Sequence, residues 1–238
     1  MAKLVFDIET SALPLETCDD AQQEYLFRDA QKITDPVQQA NRRGEIRQLF
    51  NLWPLTARVV CIAMLNSDSG RGQVLFLAED YSNEAAEGSL VEFIPCVDEA
   101  ELLTAFWDVV RHYDTVITFN GRNFDVPFLY LRSALLNVPI TRKDWLGYRF
   151  QTTPHCDLAD QLCFYGNGRD GANRRFNLDF YCKAFGIESP KSQGVTGLDV
   201  TRLMDEKQYR TIAEYCLRDV EATVALYRLW FERLSGVK

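Results

Sequence analysis

Lys3-Leu4-Val5-Phe6-Asp7-Ile8-Glu9-Thr10 is a short apolar run that ends in charge. From Lys3 to Ile8 this is the pattern of a buried strand whose tip opens into a site. Side chains alternate faces along a strand, so Asp7 and Glu9 point one way and Ile8 points into the opposite layer. Two carboxylates on one strand face repel each other. Burying them is costly unless a cation neutralises them, and oxygen ligands at that separation suit magnesium or manganese. The same spacing also marks an ordinary strand end that leaves the sheet into solvent.

Beyond this strand the chain alternates strands and helices. Residues 11–57 are polar and Gln-rich, punctuated by Pro14, Pro36 and Pro54. A structureless loop of that length is unexpected in a domain, so the segment reads as a helical insertion. Arg58 to Asn66 and Gln73 to Ala78 are apolar strands joined by the turn-forming residues 67–72, which predicts an antiparallel hairpin. Asp98 with Glu101 forms a capping-box signature, and Leu102, Phe106, Val109 and Tyr113 follow at helical spacing. Thr115 to Phe119 is the next strand, followed by a helix from Phe124 to about Leu136. His155 to Asp157 suits a short fifth strand, and Asn177 caps a helix that stops at Gly186. Ile212, Cys216, Val220, Val224, Tyr227, Phe231 and Leu234 form an apolar stripe, so Gln208 to Leu234 is a long amphipathic helix packed on the core. The fold class is α/β, with a mixed central sheet flanked by helices. No linker divides residues 1–238, which read as a single domain carrying the insertion at about 11–57.

Composition narrows the function. With 47% hydrophobic and 25% charged residues, the chain is that of an ordinary globular protein. Its longest uninterrupted apolar run, Val59 to Leu65, is far short of the roughly 20 residues of a membrane helix. Asp7 and Glu9 interrupt the apolar stretch that a secretory signal needs, so no export and no membrane association are expected. Seven cysteines without a Cys-x-x-Cys pair fit reduced packing residues and a cytoplasmic location. Subtracting 34 acidic from 26 basic side chains leaves −8, which argues against binding nucleic acid through a basic footprint alone. A nuclease remains compatible, because acidic residues that hold metals repel phosphate only until the metals arrive. The local basic groups Arg42, Arg43 and Arg47, Arg142 and Lys143, and Arg174 and Arg175 read individually as solvated faces.

Further carboxylates stand at other strategic points. Asp125 follows the Thr115 to Phe119 strand within Asn120-Gly121-Arg122-Asn123-Phe124-Asp125, and before Val126-Pro127 it is also a reasonable helix cap. Tyr215 and Asp219 lie four apart on the last helix, hence on one face, at the edge of its apolar stripe. Gly166 to Gly171 matches G-x-G-x-x-G literally, but no strand delivers it into a helix start, and it reads as a loop near the substrate. His112 and His155 lack partners at metal-ligand spacing and read as structural.

Taken together, these segments resemble the DEDD 3′-5′ exonucleases of the ribonuclease H-like fold, in their tyrosine-bearing branch. Phe6-Asp7-Ile8-Glu9-Thr10 is similar to the first motif of that family, Asn120 through Asp125 to the second, and Tyr215-Cys216-Leu217-Arg218-Asp219 to the third. The histidine branch would carry His where this chain has Glu214. Within the family, the chain is similar to stand-alone relatives of the exonuclease domain of family B DNA polymerases.

The resemblance implies a catalytic set of Asp7, Glu9, Asp125, Tyr215 and Asp219, with the four carboxylates holding two Mg2+ or Mn2+ ions. Asp7 is the bridging ligand, Glu9 and Asp219 serve the ion that activates water, and Asp125 serves the other. Tyr215 orients the attacking water, since an unperturbed phenol with a pKa near 10 is a poor base at neutral pH. Thr10, Asn120, Phe124 and Lys191 fall at the bound nucleotide, with Phe124 equally readable as core. The expected substrate is the 3′ end of single-stranded nucleic acid, DNA in preference to RNA. The alternatives are an RNA-trimming exoribonuclease and a non-catalytic nucleic-acid-binding module that retains the fold.

Overall fold

A computed structural model describes residues 2–78, 89–166, 171–189 and 196–237. The six strands are β1 (Lys3–Ala12), β2 (Ala57–Asn66), β3 (Gly72–Leu77), β4 (Val91–Cys96), β5 (Thr115–Thr118) and β6 (His155–Asp157). They form one sheet in the order β4-β3-β2-β1-β5-β6. β2 alone runs against the rest, pairing antiparallel with β1 and β3, while β3/β4, β1/β5 and β5/β6 are parallel. The expected hairpin is therefore β2 and β3. Because β1, β5 and β6 run the same way, their carboxyl ends meet at one edge, the place where open α/β sheets bind ligands.

Two strand assignments differ from the sequence expectation. β1 continues through both carboxylates to Ala12 instead of ending at Ile8, because β2 pairs with it along its whole length, down to Ala57 opposite Ala12. The pairing shifts register between Glu9 and Thr10, a bulge that changes the facing of the residues after the Asp-x-Glu pair. The sixth strand, β4, had no clear sequence signal. It is a half-exposed edge strand containing Pro95, and an edge is where a strand tolerates the missing N–H.

Helices cover both faces. α3 (Glu99–Val110) lies on the face of β1 that carries Phe6, whose ring sits 5.3 Å from Phe106. Asp98 caps it through the Glu101 N–H, but Glu101 returns its carboxylate to the Val97 N–H, so the capping box is only half formed. On the opposite face, α8 (Tyr209–Arg233) crosses β1, β2 and β3 and brings Cys216 Sγ to the Asp7 carbonyl at 3.5 Å. Its apolar stripe is buried from Ile212 to Tyr227, while Leu234 is partly buried and Phe231 is 54% exposed with the Lys3 ammonium 4.8 Å from its ring. Residues 11–57 contain α1 (Asp20–Gln31) and α2 (Pro36–Gln48), capped by Asp19 and Asp35. Phe27, Ala30, Ile46 and Phe50 form a small core under these helices, separate from the main one.

The remaining helices flank the site. α4 (Asp125–Leu135) follows β5, α5 (Leu158–Leu162) follows β6, and α6 (Leu178–Phe185) is capped by Asn177 and ends at Gly186 with φ +70°. α7 (Val200–Asp205) leads into α8. Among the described residues no helix is long and apolar enough to cross a membrane. None of the seven cysteines is in a disulfide.

Candidate active site

β1 sets the floor of the site. Asp7 is partly exposed and Glu9 is 6% exposed, and one oxygen of each lies within 4.8 Å of the other and of Cys216 Sγ. Strand alternation thus places both carboxylates on the α8 face, as period two requires. From the α4 side Asp125, 2% exposed, accepts the Ile8 N–H at 3.2 Å, so its carboxylate is fastened to the backbone between Asp7 and Glu9. Asp125 is the first helical residue and does not cap α4, whose N-cap is Phe124. α8 supplies Tyr215 and Asp219 one turn apart, and the buried phenol hydrogen-bonds Asp219.

The electrostatics of this cluster are those of charges waiting for a counterion. Burial pushes the Asp7 carboxyl well above its ordinary range, and Asp125, Asp219 and Glu9 push it further. Glu9 is raised by burial and then by Asp219 and Asp125. Asp125 is pushed up to about 7, chiefly by burial, against the pull of its backbone donors. Among the described residues, neither Lys nor Arg forms an ion pair with Asp7, Glu9 or Asp125. Burial, followed by the charges of Glu9, Asp219 and Asp7, also raises the Tyr215 phenol, so it stays protonated and acts as a donor.

A second wall comes from the β5 end. Asn120 adopts φ +66°, and a Cβ on Gly121 would lie 2.4 Å from Thr118 Oγ1, so the turn needs glycine there. Asp157 holds this turn by accepting the N–H groups of Asn120 and Arg122, both at 2.9 Å, while also capping α5. Behind it His155 Nδ1 donates to the Trp145 carbonyl, which leaves Nε2 to accept the Thr118 hydroxyl at 2.8 Å. Burial lowers His155 to about 4, so it is a neutral structural residue, as its sequence context suggests. Asn120 Oδ1 accepts from Asn123 at 3.0 Å and from Arg175 at 2.7 Å.

Asp7, Asn120, Arg175, Phe176, Tyr215 and Asp219 line a cavity of about 450 Å3. Of the other sequence candidates, Phe124 packs on the main core beside Phe128, and Thr10 is buried with its hydroxyl donating to the Asn51 carbonyl at 2.6 Å. Neither lines the cavity. Lys191 and residues 167–170 of the glycine-rich stretch lie outside the described residues. Sequence reasoning missed Asp157 and the site position of Arg175. No periodicity marks Asp157, whereas Arg175 was visible as part of a basic pair.

A mixed sheet flanked by helices, with acidic side chains gathered from its central strand and two helices, defines an α/β protein of the ribonuclease H-like fold with a nuclease-type acidic site. The chain belongs to the predicted 3′-5′ exonucleases related to the exonuclease domain of PolB, whose family model matches residues 53–237. It is 30% identical over 182 residues to DNA polymerase 1 of Saccharolobus solfataricus, covering 71% of this chain and 19% of that polymerase. An uncharacterized protein of Methanocaldococcus jannaschii is 33% identical over 145 residues, covering 56% of this chain and 76% of its own length. The family B DNA polymerase of Pyrobaculum calidifontis superposes with a TM-score of 0.57 at 21% identity, over 97% of this chain and 24% of that one. This last likeness concerns the fold. The chain spans about a fifth of the length of the polymerases it matches.

Proposed function

We propose that the protein is a divalent-cation-dependent 3′-5′ exonuclease of the tyrosine-bearing DEDD branch that removes nucleotides from the 3′ end of single-stranded nucleic acid, DNA in preference to RNA. The whole chain acts as one domain with α1 and α2 inserted, and seven free thiols support a reducing cytoplasmic setting. The observation that carries the reading is the meeting of Asp7, Glu9, Asp125, Tyr215 and Asp219, from three elements distant in sequence, around one acidic site. The DNA polymerases among the relatives support the DNA preference.

The donor set fits Mg2+ or Mn2+. Its oxygens are hard ligands, Asp7, Glu9 and Asp125 form no ion pair with Lys or Arg among the described residues, and the nearby Cys216 thiol is held neutral by burial. Asp7, Glu9, Asp125 and Asp219 would hold the ions. Such a pair, when bound, activates water, neutralises the scissile phosphate and stabilises the leaving oxygen. Asp7, coupled electrostatically to the other three carboxylates, would serve both positions, while Glu9 and Asp219 would serve the water side and Asp125 the other. Tyr215, a protonated phenol beside Asp219, would orient the attacking water. Asn120, its Oδ1 already engaged by Arg175 and Asn123, offers its amide N–H groups to the terminal nucleotide.

The test is incubation with 5′- and 3′-labelled strands and duplexes of DNA and RNA, with magnesium, manganese or chelator. Stepwise loss from a free 3′ end of single-stranded DNA with metal is expected. Faster loss from RNA would favour the exoribonuclease, and binding without cleavage would favour the idle module.

Tyr215→Phe deletes one orienting hydrogen bond and leaves every carboxylate in place. It should lower kcat about 10- to 100-fold, toward the low end for a positioned acid-base group. A loss as severe as that of Asp219→Ala would give Tyr215 more than an orienting role, and wild-type turnover would remove it from the mechanism.

A further inference from the structure

Beside the carboxylates lies a cationic assembly of three arginines whose charge Asp160 and Asp157 balance only in part. Asp160, with its side chain 2% exposed, meets three guanidinium groups: Arg149 at 2.7 Å, Arg122 at 3.8 Å, and Arg175 in direct contact. Three cations thus converge on one buried carboxylate. The neighbouring carboxylate, Asp157, spends its oxygens on the backbone N–H groups of Asn120, Arg122 and Ala159. A structural clamp needs one arginine here. Extra guanidinium groups repel one another unless another anion arrives.

Of the three, only Arg175 lines the cavity shared with Asp7, Tyr215 and Asp219. It is held by Asp160 on Nη2, by Asn120 Oδ1 on Nη1 and by a hydrogen bond to Cys163, and its side chain is 26% exposed. Five N–H donors on a planar fork leave more than these partners consume, and such a fork matches the oxygens of a phosphodiester. Phe176, stacked on Phe180 at 4.3 Å and with the Arg174 guanidinium 4.9 Å from its ring, lines the same cavity. The cavity thus holds a rigidly oriented cation beside an aromatic side chain as well as the acidic residues.

Resting on the exonuclease reading above, we infer that Arg175, oriented by Asp160 and Asn120, is a phosphate-binding residue that grips a phosphodiester of the single strand 5′ of the scissile linkage. Arg122 and Arg149 keep Asp160 compensated, so Arg175 is free to turn its remaining donors to the strand.

The experiment measures binding apart from hydrolysis. Fluorescent oligothymidylate is titrated by anisotropy in chelator with wild type, Arg175→Gln and Arg175→Lys, using unmodified strands and strands with a neutral methylphosphonate at each of the last four linkages in turn. Arg175→Gln should weaken binding about 10- to 100-fold, as loss of a charge-assisted hydrogen bond does, and Arg175→Lys should recover part of it. The salt dependence should fall by about one phosphate contact. At one linkage, the methylphosphonate should weaken the wild type as much as the Gln substitution does and weaken Arg175→Gln no further. A structural arginine would not produce that coupling. Additive losses at every linkage overturn the inference, whether or not wild type degrades the strand with magnesium. Coupling without hydrolysis leaves the inference standing and overturns the exonuclease reading, and absence of strand binding in chelator together with absence of degradation with magnesium overturns both. Unchanged melting temperatures for the Arg175 variants, with Asp160 still paired to Arg122 and Arg149, exclude misfolding as the cause of the loss.

Discussion

Asp7→Ala should abolish 3′-end degradation, with a fall in kcat/KM of about 1000-fold or more. Asp7 is central among the carboxylates, repelled in turn by Asp125, Asp219 and Glu9. On the proposed reading, removing it would delete the ligand shared by both cation positions. Charge stabilisation by such ions amounts to several kcal/mol, and each 1.36 kcal/mol is tenfold in rate. Asp125→Ala should be nearly as severe, and it carries a structural cost besides, because the Ile8 N–H loses its buried acceptor. Asp125→Asn keeps that acceptor and separates the two effects: it should fold normally and remain inactive. The check is single-turnover cleavage of a 5′-labelled strand with saturating magnesium or manganese, together with melting curves for each variant. Wild-type rates in Asp7→Ala, or activity that survives excess chelator, would place the chemistry elsewhere.

The acidic cluster was legible in sequence because two of its parts obey a local period, Asp125 being marked only by its place after the Thr115 to Phe119 strand. Asp7 and Glu9 share a face by the two-residue repeat of a strand, and Tyr215 and Asp219 by the four-residue repeat of a helix. Their order along the chain added what no single pair carries. The opposite wall was not legible. Asn120, Asp157, Asp160 and Arg175 meet across the ends of β5, β6 and the turn before α6, and no repeat links residues brought together by strand order alone. Arg174-Arg175 therefore looks in sequence like any solvated basic pair. β4 escaped for a related reason: its one-sided burial and Pro95 leave a weak strand pattern, and pairing with β3 decides the matter. The end of β1 was misplaced because charge suggests an exit to solvent, whereas β2 carries the pairing past Glu9 into a buried pocket. Thr10 follows from the same feature, its hydroxyl taken by Asn51 just beyond the bulge.

Metal-free protein should lose stability as pH rises from about 6.5 to 8, and divalent cations should restore it. Asp7, Glu9 and Asp125 have folded pKa values raised above their unfolded ones, Asp125 to about 7, so over this range the native state binds more protons than the unfolded chain. Stability then falls with rising pH, because its slope follows the protons bound by the unfolded state minus those bound by the native state. His155 works in the other direction, but its folded pKa of about 4 confines that contribution to pH below about 6.5, the ordinary histidine value. Above 6.5 the carboxylates set the slope, and the thiols of Cys96, Cys156, Cys182 and Cys216, raised by burial, add to it in the same direction toward pH 8. A cation that binds only the native state adds about 2.7 kcal/mol at a hundred times its dissociation constant. For a domain of this size each kcal/mol moves Tm by about 2 to 4 °C, so saturating manganese at pH 8 should raise Tm by about 5 to 10 °C. Asp7→Asn takes one charge from the middle of the cluster and so predicts three linked changes: a higher metal-free Tm at pH 8, a flatter pH dependence and a much smaller manganese shift. Scanning calorimetry at pH 6.5 and 8, with and without manganese, tests all three. Equal manganese shifts in wild type and Asp7→Asn would mean that the ions bind elsewhere and that these carboxylates, though adjacent, do not act as one site.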